Sequence, residues 1–294
     1  MTKKIEGVLA AILTPFDGQG EYDPLMMAQQ VKRQAANGNG IFCCGTNGEF
    51  FVLSEREKIA ITETCVQTAG GSVPVVSHIG EISTRNTLRL GKQIAALGVD
   101  AVSVITPWFV PLKQHELIRH FTQIADAITA PMYLYNIPAR TGNALRPETV
   151  RELARHPQII GIKDTTGTLE SLQSLIDATK DIEGFDVLTG PDALVHEGFV
   201  AGAVACISGM ANIAPAVVQR VWAEFKAGNI TQSRRAQESL GGLRKELGDV
   251  SLFFSATVKK AVQLMGHDAG ESRFPVYYSA EDEEKIRQIL ERYR

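Results

Sequence analysis

The chain has 294 residues, near two average domains of about 150 each, yet only slightly above a single α/β barrel of about 250. Hydrophobic residues make 44% and charged residues 21%, which provides a sizeable core and excludes wholesale disorder. With 30 basic and 33 acidic side chains the net charge is −3 and the pI near 6.1, so neither nucleic acid nor an anionic membrane is an expected partner. The first residues, Met1 to Gly7, carry no apolar stretch after their lysines, which argues against a signal peptide. No apolar run is long enough for a membrane span. A cytoplasmic setting is the expectation.

In chain order, short apolar runs of strand type occupy residues 8–12, 40–44, 73–79, 101–105, 132–135, 159–162, 186–188 and 203–207. Their starts recur mostly at about thirty residues, the length of a strand–helix unit. Between them lie amphipathic segments at 24–37, 54–69, 83–97, 113–128, 147–155 and 169–179. Ser54-Glu55-Arg56-Glu57 reads as a capping box. Pro147 suits a first helical turn, where a missing N–H costs nothing. Gly38, Gly70 and Gly98 stand where left-handed residues end helices. Further helices are expected at 214–226, 230–247, 255–265 and 280–294, the last three surplus to a barrel.

Uniformly apolar strands are buried on both faces, as parallel sheets require. Eight strand–helix units predict an α/β fold, a closed (β/α)8 TIM barrel over residues 1–228 with a C-terminal helical extension over 229–294. An open doubly wound sheet fits less well, because Leu13-Thr14-Pro15-Phe16 after the first strand is not a nucleotide loop. The four cysteines, Cys43, Cys44, Cys65 and Cys206, match neither a disulfide framework nor a zinc knuckle. Adjacent Cys43 and Cys44 sit in an apolar run and read as small core residues.

Barrel chemistry gathers at the carboxyl ends of the strands. Lys163 ends the apolar stretch Ile159-Ile160-Gly161-Ile162, so its amine is expected in the barrel mouth with little water. Desolvation disfavours the ammonium and favours an amine able to attack a ketone. The alternative is a lysine neutralised by Asp164 or Glu49. Tyr135 ends the neighbouring fifth strand and is either a proton shuttle or a core tyrosine. Thr46, in a turn bounded by Gly45 and Gly48, offers a hydroxyl and backbone N–H groups to a carboxylate. Only His78 of the six histidines ends a strand. Glu49, Asp164 and Asp192 offer in principle an oxygen site for Mg²⁺, and helix caps or hydrogen-bond anchors are the better reading of them.

Taken together, Gly45-Thr46-Asn47-Gly48-Glu49, Tyr135-Asn136-Ile137-Pro138-Ala139-Arg140-Thr141-Gly142 and Gly161-Ile162-Lys163-Asp164 resemble the signatures of the dihydrodipicolinate synthase/N-acetylneuraminate lyase family. The likeness runs from Thr14-Pro15-Phe16 to the C-terminal helices. It implies class I, Schiff-base chemistry on pyruvate or another 2-keto acid, no metal or organic cofactor, and a homotetramer built as a dimer of dimers. Lys163 would form the imine, Tyr135 would act as general acid/base, and Thr46 would relay or orient it. Thr46 and Asn47 would hold the keto acid's carboxylate, with Arg140, Ile207, Asp192 and Ser208 completing the substrate-binding set.

The resemblance also separates members. Synthases that condense pyruvate with aspartate semialdehyde typically carry two threonines in the first motif and a Tyr-Tyr pair after the fourth strand, the second tyrosine reaching a neighbouring subunit. Here the positions read Thr46-Asn47 and Thr106-Pro107-Trp108-Phe109, and Phe109 has no hydroxyl to relay a proton. Arg140 counts the other way, since an arginine there receives the acceptor's carboxylate in the synthases. The expected activity is cleavage or condensation of a 2-keto-3-deoxy acid type substrate. The alternatives are 4-hydroxy-tetrahydrodipicolinate synthesis, dehydration or deamination of a related keto acid, and a silent sensor of keto or amino acids.

Overall fold

The computed structural model describes residues 5–267 and 269–293. Eight strands follow the apolar runs: β1 (Gly7–Ala11), β2 (Gly40–Cys43), β3 (Val75–His78), β4 (Ala101–Ile105), β5 (Met132–Asn136), β6 (Ile159–Asp164), β7 (Asp186–Thr189) and β8 (Ala205–Ser208). They pair in chain order and close, β1 against β8 with Gly7 opposite Ala205 and Leu9 opposite Ile207. Every pairing is parallel. The fold is the expected TIM barrel with C-terminal helices.

Successive side chains of a strand point to opposite faces, and here both faces are covered. Leu9, Phe42, Val76, Tyr133, Leu188 and Ile207 fill the barrel interior. The alternate residues, such as Ile41, Val75, Val102 and Ile162, pack beneath the surrounding helices. Those helices are α1 (Pro24–Ala36), α2 (Glu55–Ala69), α3 (Thr84–Ala96), α4 (Gln114–Ala127), α5 (Pro138–Thr141), α6 (Pro147–Leu153), α7 (Leu169–Thr179), α8 (Val195–Ala201) and α9 (Pro215–Lys226). The capping box forms, with the Glu57 N–H donating to Ser54 Oγ and the Ser54 N–H to Glu57 Oε2.

Three differences from the expected boundaries have physical causes. The run at 73–79 pairs only from Val75, since Pro74 lacks an N–H and contributes its carbonyl alone, to the Ile41 N–H. Strands five and six extend through polar residues, with Tyr135 opposite Lys163 and Asn136 opposite Asp164. Ladder bonds are made by the backbone, so a polar side chain aimed at the barrel mouth does not end the strand. Lys163 therefore stands inside β6 rather than after it. Helices α5 and α8 were not expected; they have four and seven residues, too few for an apolar period to show.

The chain ends in α10 (Ile230–Gly248), α11 (Phe254–Leu264) and α12 (Ala280–Arg292). The expected helix at 280–294 stops at Arg292, and Arg294 lies outside the described residues. These helices share one apolar cluster with the outer side of β1 (Val8, Ala10) and with Val195 and Phe199 of α8. Gln237 of α10 accepts from the His196 N–H (3.0 Å) and donates to the Asp192 carbonyl (3.0 Å), bracing the segment after β7. No helix among the described residues is long and apolar enough to cross a membrane.

Candidate active site

At the carboxyl end of the barrel a cavity of about 250 Å³ is lined by Thr46, Asn47, Tyr135, Arg140, Lys163, Asp192 and Ile207, among others. Seven positions expected from the sequence thus converge from five strand ends. Lys163 is only 4% exposed. Its Nζ lies 4.0 Å from the ring centre of Tyr135 and 4.6 Å from that of Phe42. Such faces offer a cation partial negative charge but no proton acceptor.

Neither carboxylate proposed to neutralise Lys163 does so. Glu49 accepts from Lys259 Nζ (2.9 Å), Ser272 Oγ (2.8 Å) and the Arg273 N–H (3.0 Å). Asp164 accepts from Asn136 Nδ2 (2.9 Å) and Thr166 Oγ1 (2.6 Å); burial raises its carboxyl above the ordinary value, against those two bonds. Four lysines are buried among the described residues. Lys58 pairs with Glu81, Lys259 with Glu49, and Lys260 with Glu271 and Glu283. Lys163 alone of these four has no carboxylate within ion-pair distance.

Tyr135 is 1% exposed and its hydroxyl lies 3.1 Å from Thr46 Oγ1. The ring is wedged by edge contacts with Phe42 and with His78. Burial holds the His78 imidazole well below its usual value, with the Lys58 and Lys163 charges adding to the effect, so this ring is neutral. Thr46 and Asn47 sit in a sharply folded turn. Cys44 and Glu49 both take left-handed backbone, φ 54° and 55°. Gly45 is required because a Cβ would come 2.5 Å from the Phe42 ring. The turn closes through the Glu49 N–H to the Thr46 carbonyl and the Phe50 N–H to the Gly45 carbonyl. The N–H groups of Thr46 and Asn47 have no acceptor among the described residues. Thr14 locks the turn from β1, donating to the Gly48 carbonyl at 2.7 Å.

Arg140 rides on the single turn of α5, which starts at Pro138 and ends at left-handed Gly142. Its guanidinium lies over Phe253 at 5.5 Å. Asp192 does not cap the following helix α8, whose start has no side-chain cap. Its carboxylate accepts from the Ser208 hydroxyl and from the Met210 N–H (3.2 Å). Ser208 is spent in the same contact, also accepting from the Ala211 N–H (3.1 Å); it does not line the cavity. Ile207 does, as a 3% exposed apolar wall. Among the described residues no three His, Cys, Asp or Glu side chains are grouped to hold a metal ion.

Several lining residues were not singled out in the sequence. Thr165 follows Lys163-Asp164, and its buried hydroxyl has no partner; extending the strand-end rule by two residues finds it. Arg244, Phe254 and Ser255 come from α10 and α11, and no rule about strand ends reaches them. A second hollow of about 210 Å³ shares Thr46 and Arg140 and is otherwise mainly aromatic, with Phe50, Phe51, Trp108, Phe253 and Phe274. Trp108 turns inward onto Phe50 (5.4 Å), whereas Phe109 is 90% exposed on left-handed backbone, φ 77°.

Comparison with known proteins agrees with this geometry. Residues 4–292 match the model of the dihydrodipicolinate synthetase family. The chain belongs to that family. Over 292 residues it is 33% identical to the 4-hydroxy-tetrahydrodipicolinate synthase of Methanoculleus marisnigri, covering 97% of this chain and 98% of the relative. The structure of the chloride-inhibited dihydrodipicolinate synthase of Acinetobacter baumannii with pyruvate superposes with a TM-score of 0.93 at 31% identity, covering 99% of each chain. YagE of E. coli K12, a prophage protein of the same family solved with pyruvate, gives 0.93 at 28% identity and 98% of each chain. The dihydrodipicolinate synthetase family works through a Schiff-base lysine without a cofactor. This member is accordingly a lyase of the class I aldolase kind.

Proposed function

We propose that the chain forms an imine between Lys163 and the ketone of pyruvate or a pyruvate-derived 2-keto acid, and cleaves or makes the bond between the carbons α and β to that imine. The observation that carries this reading is the buried Lys163 amine without a carboxylate partner, 4.0 Å from the ring of Tyr135. The amine adds to C2 of the keto acid, and the carbinolamine loses water to give the protonated imine. That imine draws electrons from the adjoining carbon. Breaking the C3–C4 bond then leaves an enamine on Lys163 while the C4 hydroxyl, losing its proton, becomes an aldehyde.

Tyr135 is the proton carrier in this scheme, and Thr46 orients it through their 3.1 Å contact. The unbonded N–H groups of Thr46 and Asn47 suit the substrate carboxylate, and Arg140 suits a polar or acidic group on the other fragment. Ile207 and Asp192 shape the opposite wall. Protonation of the enamine and hydrolysis release pyruvate and regenerate the amine.

Cleavage of a 2-keto-3-deoxy acid type substrate is favoured over 4-hydroxy-tetrahydrodipicolinate synthesis by Asn47 and by Phe109, which has no hydroxyl to complete a proton relay. Arg140 and the names of the relatives support the synthase as the second reading. Assembly as a homotetramer is part of the proposal, supported by the exposed apolar Phe109 and Val110. So is the division into a barrel, 1–228, and a helical extension, 229–294. Unpaired cysteines suit a reducing, cytoplasmic setting.

Pyruvate with borohydride, followed by intact mass measurement, tests the chemistry. A single reduced adduct on the native chain, absent in Lys163→Ala, is expected. No adduct, or one that persists in the variant, overturns the reading.

A further inference from the structure

Arg244 belongs to α10, outside the barrel, and yet lines the same cavity as Lys163 and Arg140. Its guanidinium is stacked on Phe254 at 4.6 Å, and that of Arg140 lies over the preceding residue, Phe253, at 5.5 Å. The start of α11 thus presents two consecutive aromatic faces that hold two arginines at one cavity. Stacking keeps a guanidinium in place without using its N–H donors, which stay available to a planar or tetrahedral anion.

Neither guanidinium has an ion pair or hydrogen bond among the described residues. Among the described residues the only carboxylate lining the cavity is Asp192, and its oxygens are taken by Ser208 and the Met210 N–H. Burial moreover drives the Asp192 carboxyl above its ordinary value, with Arg244 a weaker opposing influence. Arg140 and Arg244 therefore give the cavity two guanidiniums, beside the Lys163 amine, against one carboxylate already in use. The Thr46 and Asn47 N–H groups provide for one substrate carboxylate. The two guanidiniums are more than that single anion requires.

We infer that Arg244 is a specificity-determining residue which, with Arg140, binds an anionic group at the end of the substrate remote from the imine. The favoured 2-keto acid carries a second anion, a carboxylate or a phosphate-like group, on the fragment that leaves as aldehyde. This rests on the Schiff-base reading and names the substrate class of the same site.

The test is equilibrium binding of three keto acids of matched length to the full chain. They are 2-oxoadipate, an analogue ending in a phosphonate, and 2-oxohexanoate, which ends in a methyl group. The native protein should bind one or both of the anion-ended acids at least tenfold more tightly than 2-oxohexanoate, and which of the two leads identifies the anion. In Arg244→Gln this preference should fall at least fivefold, while Arg244→Lys, which keeps the charge but not the fork, should lie between. Raising the salt concentration should shrink the preference of the native protein, a reading that needs no variant. Equal binding of all three acids, or a preference that Arg244→Gln and salt leave intact, overturns the inference. Failure to trap a pyruvate adduct on the native chain overturns instead the Schiff-base reading beneath it.

Discussion

Lys163 and Lys259 are 4% and 2% exposed, and each amine sits 4.0 Å from the centre of an aromatic ring, Tyr135 in one case and Phe16 in the other. Around Lys259 the fold supplies a carboxylate at 2.9 Å, and that carboxylate is in turn held by Ser272 and the Arg273 N–H. Around Lys163 it supplies aromatic faces, backbone and a void. Burial alone therefore does not mark Lys163 for the reactive part proposed for it. What separates the two is whether a counter-charge has been built in, because an ammonium locked to a carboxylate cannot present a lone pair to a ketone.

The largest expected effect breaks the comparison at its reactive side. Lys163→Met should remove turnover by at least about 10⁴-fold, since no other amine among the described residues lines the cavity, and should leave the melting temperature unchanged or raised, because no ion pair is lost. A fall of many degrees would assign Lys163 to the structural class of Lys259. Tyr135→Phe should lower kcat by roughly 10²–10⁴-fold while a pyruvate adduct still forms on Lys163. An undiminished kcat would remove Tyr135 from the proton path.

At the structural side, Glu49→Gln strands Lys259 and should cost about 3–5 kcal/mol, read as a lower midpoint in urea. The double change Glu49→Leu with Lys259→Met should recover most of that loss, as an apolar pair avoids the orphaned charge. If the single and double variants are equally unstable, the pair is not what holds this region together.

A smaller effect shows a third fate for a buried base, which is simply to stay neutral. His120 donates or accepts only at Nδ1, 2.8 Å from Thr84 Oγ1, and burial lowers its pKa from 6.5 to about 4. The unfolded chain then binds a proton that the folded chain refuses between these values. Stability should rise with pH through that window and be lost as pH falls from 6.5 towards 4, by an amount on the order of a few kcal/mol. In His120→Gln the slope of melting temperature against pH should flatten over the same interval. An unchanged slope would mean that other groups carry it.

Periodicity was enough to read the barrel, because each apolar run reflects burial on both strand faces and each helix carries its own stop signals. The strand-end rule was enough to bring Lys163, Tyr135, Thr46 and Asn47 together, since closure of the barrel forces strand ends to meet. Where sequence reasoning stopped, the missing information was long-range. Ser208 is at a strand end, but its hydroxyl is consumed by Asp192, and only packing decides that. Arg244 reaches the cavity from a helix eighty-one positions beyond Lys163, on an element whose docking angle no local pattern encodes. Glu49 looked like a partner for Lys163, and its true partner lies 210 positions away. Short α5 and α8 escaped because a helix of one or two turns displays no period.

The Glu49 contact also bears on how far this molecule can be taken apart. A fragment ending at residue 228 would retain all eight strands, so by secondary structure it would look like a complete scaffold. It would nonetheless carry an uncompensated acid at the foot of the Thr46–Asn47 turn, having lost Lys259, Ser272 and the Arg273 N–H together. The extension is thus no appendage that a minimal enzyme can shed or a fusion can replace at will. Circular permutants and grafts that keep the barrel must also carry along an equivalent base for Glu49, or the turn that lines the cavity will be the first part to come loose.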